Sequence, residues 1–138
     1  MEGATGLANT NYEGMARAAI EALRHDDFVF VHVEASDEAG HDGDLDLKLR
    51  TIEYLDQRII APVYNEVQTW QEPVCMAVLP DHLTPVEMRI HVGQPVPFVI
   101  WHRHIVPDGV QQYDEMACAH GAYGLLQLQE FMQAFMEA

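Results

Sequence analysis

Three short stretches of this sequence carry side chains that could hold a metal ion: Asp37-Glu38-Ala39-Gly40-His41, Asp81-His82 and His91. Each offers carboxylate oxygen or imidazole nitrogen, and no thiolate takes part. That donor set suits borderline-hard divalent ions such as Mn2+ and Zn2+. Gly40 would let a polar turn fold tightly enough to aim Asp37 and His41 at one point. Asp81 and His82 are adjacent, so an extended backbone points them to opposite sides. They would then serve two neighbouring metals, or one metal through a bent turn. A histidine in a loop is more often a surface residue than a ligand, and Asp37 could simply cap the segment after it. Three such pieces beside three predicted strands outweigh that plainer reading.

The elements that must position them follow from periodicity. Residues 11–24 read as a helix, capped by Asn11 with Glu13 in its first turn, and Met15, Ala18, Ala19 and Leu23 form its apolar face. Residues 28–33 are a nearly continuous apolar run, the pattern of a strand buried on both faces. A polar turn over 34–43 holds the first ligand stretch. From Asp44 to about Trp70, apolar residues recur at three- and four-residue steps, so a long helix is expected, kinked or broken at Pro62. Residues 74–79 and 96–101 read as two more buried strands, and residues 125–138 as a closing helix. The class is α/β with a mostly parallel sheet, in which ligands bind at the carboxyl ends of strands.

Composition narrows the function. A chain of 138 residues, 49% hydrophobic, is large enough for one compact domain. Its net charge of -15 argues against a nucleic-acid backbone as partner and fits carboxylates that balance bound cations. No run approaches a membrane span, the N-terminus has no basic or apolar signal, and Cys75 and Cys118 suggest no disulfide framework. A reducing cytoplasm is the expected compartment. Lys48 and Arg50 read as a solvated helix face. Arg89 or Arg103 could grip a phosphate, His102 and His104 could touch substrate or default to the surface, and Trp70 and Trp101 read as packing residues.

Taken together and in order, these stretches resemble one family. Asp37-Glu38-Ala39-Gly40-His41-Asp42-Gly43-Asp44 is similar to the metal segment of the cofactor-independent phosphoglycerate mutases in their archaeal-type branch, within the alkaline phosphatase superfamily. Asp81-His82 with Thr84-Pro85, and His91-Val92-Gly93-Gln94-Pro95-Val96-Pro97-Phe98, resemble two further segments of that branch, and Gly3-Ala4-Thr5-Gly6 and Thr10-Asn11-Tyr12-Glu13-Gly14 also fit. The resemblance implies a partial three-layer α/β/α domain and two divalent metal ions, manganese ahead of zinc, magnesium or cobalt. One ion would be held by Asp37, His41 and His91. The other would be held by Asp81 and His82 with an aspartate and a serine from an N-terminal region. That serine would accept the phosphoryl group in the interconversion of 2- and 3-phosphoglycerate, a phosphorylated small-molecule substrate.

The only serine here is Ser36, which abuts Asp37 and does not match the nucleophile motif. The expectation is therefore a C-terminal part of a longer enzyme, or a natural half that pairs with another chain. Alone it would be inactive, and it could dimerise through uncovered surfaces. Two alternatives stand beside the mutase: another phosphotransferase or phosphohydrolase of the superfamily, including the homoserine kinase-like proteins, and a non-enzymatic metal-stabilised half-domain.

Overall fold

The computed structural model describes residues 2–138 and has an α/β make-up. The chain divides into two compact units, one of residues 1–69 and 84–92, the other of residues 70–83 and 93–138.

The first unit is helical. Helix α1 (Tyr12–Leu23) starts where predicted, because the Asn11 side chain accepts from the Gly14 backbone N–H at 2.9 Å. Tyr12, Ala16 and Ala19 form its buried face. Helix α2 (Ala35–Asp42) replaces the polar turn expected over 34–43 and stops at Gly43, whose φ of 71° is the left-handed cap that glycine adopts without strain. Helix α3 (Leu45–Leu55) begins at Asp44, which accepts from the Leu47 N–H at 2.8 Å.

The long helix predicted from Asp44 does carry an irregularity at Pro62. A π-helical turn (Asp56–Ile60) sits between α3 and α4 (Ala61–Val67), closed by the Ala61 N–H on the Asp56 carbonyl. Pro62 has no N–H to give the Arg58 carbonyl, and the wider turn absorbs that loss without ending the helix. Tyr12, Ala35 and Ile59 form the core here, with Met15, Val33, Tyr54 and Leu55 packed on it. Arg58 lies 4.6 and 4.9 Å from the ring centres of Tyr12 and Tyr54 and makes a bidentate pair with Glu13 at 2.5 and 2.8 Å.

Residues 28–33 depart from expectation. The segment forms no helix or strand among the described residues, and Phe28, Phe30 and Val31 are exposed, Phe30 by 74%. An apolar run becomes a doubly buried strand only when strands lie on both sides of it, and none pairs with it among the described residues.

The second unit holds the paired strands, β1 (Cys75–Val78) and β2 (Val99–His102), shorter than the predicted 74–79 and shifted from the predicted 96–101. They run antiparallel, with Cys75 opposite His102 and Val78 opposite Val99, so the mostly parallel sheet is not found among the described residues. Pro95 and Pro97 delay β2, since proline cannot donate to a ladder. A short helix, α5 (Glu115–Cys118), precedes α6 (Leu128–Met136), which opens on a capping box between Gln127 and Glu130. Phe131 of α6 is buried against Phe98, ring centres 5.3 Å apart. No helix of the described residues is long and apolar enough to cross a membrane.

Candidate metal centre

Because residues 34–43 are helical rather than a turn, Asp37 and His41 stand one turn apart on the same face of α2. His41 Nε2 lies 3.4 Å from Asp37 Oδ2, and the segment 84–92 of the same unit brings His91 to the pair. His91 Nε2 lies 3.4 Å from Asp37 Oδ1 and 3.0 Å from His41 Nε2. A carboxylate and two imidazole nitrogens from residues up to 54 positions apart in sequence thus converge on one point, on a half-exposed surface. Within this unit, Asp37, His41 and His91 are the predicted ligands that come together.

The hydrogen-bond partners around them decide what they can do. His41 Nδ1 lies 2.9 Å from the Arg89 carbonyl. A carbonyl only accepts, so Nδ1 carries the hydrogen, and in the neutral ring Nε2 is left with its lone pair facing His91 and Asp37. That tautomer is the one a metal ion needs, held by a backbone carbonyl behind the ligand. Asp37 Oδ1 in turn accepts from the Thr84 hydroxyl, which fixes the carboxylate. The donor set and its supports fit a divalent cation that takes nitrogen and oxygen ligands.

Arg89, whose carbonyl does this, has φ of 58°, uncommon for a residue with a side chain, and its guanidinium fills the space beside Gly43. Gly40 also matters for a reason other than the expected tight turn. It is buried, and a Cβ there would collide with the Thr84 carbonyl and the Lys48 ammonium. Lys48 is not on a solvated face. It is half-buried and donates to the Thr84 carbonyl at 2.6 Å. Burial pushes its pKa down, against the opposing pull of Asp37. Arg50, by contrast, is exposed as expected. The roles of Thr84, the Arg89 carbonyl and Lys48 have no signal in the sequence, since backbone acceptors and long-range hydroxyl contacts leave no local pattern.

In the other unit, Asp81 and His82 follow β1 in a bend. The Asp81 carboxylate accepts from the His82 backbone N–H at 3.1 Å and stands 3.6 Å from His82 Nε2. Of the two geometries open to this adjacent pair, the bent turn is the one found. Arg103 donates to the Trp70 carbonyl, and Trp70 and Trp101 are half-buried. His102 Nδ1 accepts from the backbone N–H of the exposed His104.

Comparison with known proteins places this geometry in context. The model of the Metalloenzyme superfamily matches residues 1–137. The 2,3-bisphosphoglycerate-independent phosphoglycerate mutase of Methanosarcina acetivorans is 46% identical over 131 residues, which are 94% of this chain and 33% of that protein. Phosphoglycerate mutase 1 of the same kind from Methanocaldococcus jannaschii is 38% identical over 137 residues, 99% of this chain and 33% of its own. The solved structure of the PH0037 protein from Pyrococcus horikoshii superposes with a TM-score of 0.87 at 33% identity, covering 99% of this chain and 40% of that one. The chain therefore spans about a third of the length of the curated relatives it matches.

Proposed function

The chain belongs to the Metalloenzyme superfamily, and from that premise we propose that it is the C-terminal, metal-holding part of a phosphoglycerate mutase. In this reading Asp37, His41 and His91 hold one divalent ion, Asp81 and His82 contribute to a second, and manganese is the ion at both. A bound divalent ion would draw charge from phosphoryl oxygens and lower the pKa of a hydroxyl nucleophile. The residues of this chain do the rest of their work beforehand. The Arg89 carbonyl keeps His41 in the liganding tautomer, and the Thr84 hydroxyl holds the Asp37 carboxylate in place. The exposed edge of the three ligands leaves room for a phosphorylated small molecule to approach.

The observation that carries the reading is the convergence of Asp37, His41 and His91 within hydrogen-bonding range of one another, with the His41 tautomer already set. The 138 residues supply neither the nucleophile nor the aspartate that would complete the second ion's ligands in this reading. Ser36 sits in the first turn of α2, and the proposed reaction needs a serine outside this chain.

Isothermal calorimetry tests the reading. Mn2+ should bind the wild-type chain with a clear isotherm, and His41→Ala should weaken it by about a hundredfold, a large loss for removal of one direct ligand. Equal binding in both proteins would remove His41 from the ligand set and the reading with it.

A further inference from the structure

The segment 84–92 supplies one proposed ligand and both supports of the other two. His91 faces His41 and Asp37, the Arg89 carbonyl sets the His41 ring, and the Thr84 hydroxyl fixes Asp37. Yet the segment has no helix or strand of its own, just the turn in which Met88 and Arg89 donate back to the Pro85 carbonyl and an isolated bridge at its last residue, Val92. Its seat on α2 must come from elsewhere. Lys48, on α3, reaches across Gly40 of α2 to the Thr84 carbonyl at 2.6 Å, and the missing Cβ of Gly40 is the slot that both the ammonium and that carbonyl occupy.

The geometry points to Lys48 as a positioning residue of the metal centre: it clamps the segment 84–92 onto α2 and so holds His91, the Arg89 carbonyl and the Thr84 hydroxyl in register with Asp37 and His41. The inference rests on the metal-centre reading above, and it assigns Lys48 no contact with metal or substrate. Three helix-borne groups and the segment form one unit in which the clamp is a charge-assisted hydrogen bond, roughly twice as strong as a neutral one. Lys48 is half-buried, so its ammonium has lost part of its water and depends on that acceptor.

The sign of one effect separates this role from a purely electrostatic one. A positive charge near a cation site repels the cation, so deleting it would tighten metal binding by Coulomb's law alone. A clamp predicts the opposite. The test uses the 138-residue chain with Mn2+ as probe, comparing wild type, Lys48→Met, Lys48→Gln and Lys48→Arg.

Two readouts are taken. Calorimetry should show Mn2+ affinity about tenfold weaker in Lys48→Met, the size expected when a support behind the ligands is lost, with Lys48→Arg within about threefold of wild type. Nitrogen-15 spectra of the His41 ring in metal-free protein, at a pH where it is neutral, should show Nδ1 protonated in wild type and a mixture of tautomers in Lys48→Met. Lys48→Gln keeps a donor on a stem one atom shorter and should give the same loss should Lys48→Met fail to fold. Unchanged or tighter Mn2+ binding, or an unchanged His41 tautomer, overturns the clamp. Wild-type protein that binds no Mn2+ overturns the metal-centre reading instead, and the metal-free ring spectra still decide the role of Lys48.

Discussion

Two segments of the first unit, residues 28–33 and residues 84–92, form no helix or strand among the described residues, the second carrying just an isolated bridge at Val92, and they could hardly differ more in what they do. The first is apolar and β-branched, the composition of a core strand, yet Phe30 stands 74% exposed and stacks only loosely on His32, ring centres 5.9 Å apart. The second mixes polar and apolar residues, yet Thr84 within it is buried, and its hydroxyl, a backbone carbonyl and a histidine ring all engage α2. Strand order comes from neighbours that complete a ladder, and an apolar pattern cannot supply them. Loop order comes from individual hydrogen bonds, each aimed at a particular partner, and nine residues of loop can hold several of these.

Gly40→Ala should break the contrast most severely. The added Cβ would meet the Thr84 carbonyl, which is backbone and cannot swing aside. Displacing the segment should cost about 1–3 kcal/mol of stability, the usual range for overpacking, and should reduce Mn2+ affinity by about a hundredfold. A Gly40→Ala protein with wild-type melting and binding would show that the segment seats itself some other way.

Thr84→Val sharpens it by removing one hydroxyl and little volume. Asp37 would keep its place on α2 but lose the donor that fixes its carboxylate, and Mn2+ affinity should fall about tenfold with a smaller change in stability. Calorimetry beside a thermal melt separates the two effects.

Glu13 provides a control tied to neither segment. Its bidentate pair with Arg58 lowers the carboxyl pKa from 4.5 to about 2. A carboxyl depressed in the folded state contributes stability that is fully present above its unfolded value. That contribution drains away as pH falls from 4.5 through about 2. The urea midpoint of Glu13→Gln should therefore lie slightly below wild type at pH 7, with the gap closing through this window. The carboxylate is exposed, so the gap is small. A gap that persists unchanged at pH 2 would mean the contribution is not ionic.

Phe30→Ser should do least of all, within about 0.5 kcal/mol of wild type, because the ring leaves water only partly on folding. A loss of about 2 kcal/mol or more would mean that the residue is buried in solution and that the segment has found a partner.

The same contrast explains what the sequence could tell. Asn11 announced its helix because an N-cap is a local chemical event, and Pro62 announced its irregularity because it removes a donor wherever it sits. The run at 28–33 misled, since periodicity reports what a segment could bury and not whether anything lies beside it. The stretch 34–43 misled in the other direction: its polar residues suggested a turn, but Ala35 and Ala39 give it a buried helical face. Asp37, His41 and His91 were legible as donor types and their convergence was implied by resemblance. Lys48, Thr84 and the Arg89 carbonyl were not, because support of a ligand is carried by contacts spanning 36 to 48 residues.

The most direct measurement is an anomalous difference map, collected at the manganese edge from crystals soaked in Mn2+. The account predicts a peak bounded by the Asp37 carboxylate and by Nε2 of His41 and of His91, with the Thr84 hydroxyl and the Arg89 carbonyl still in contact behind them. A map in which manganese binds elsewhere, or in which these three side chains remain unliganded at saturating metal, would contradict it.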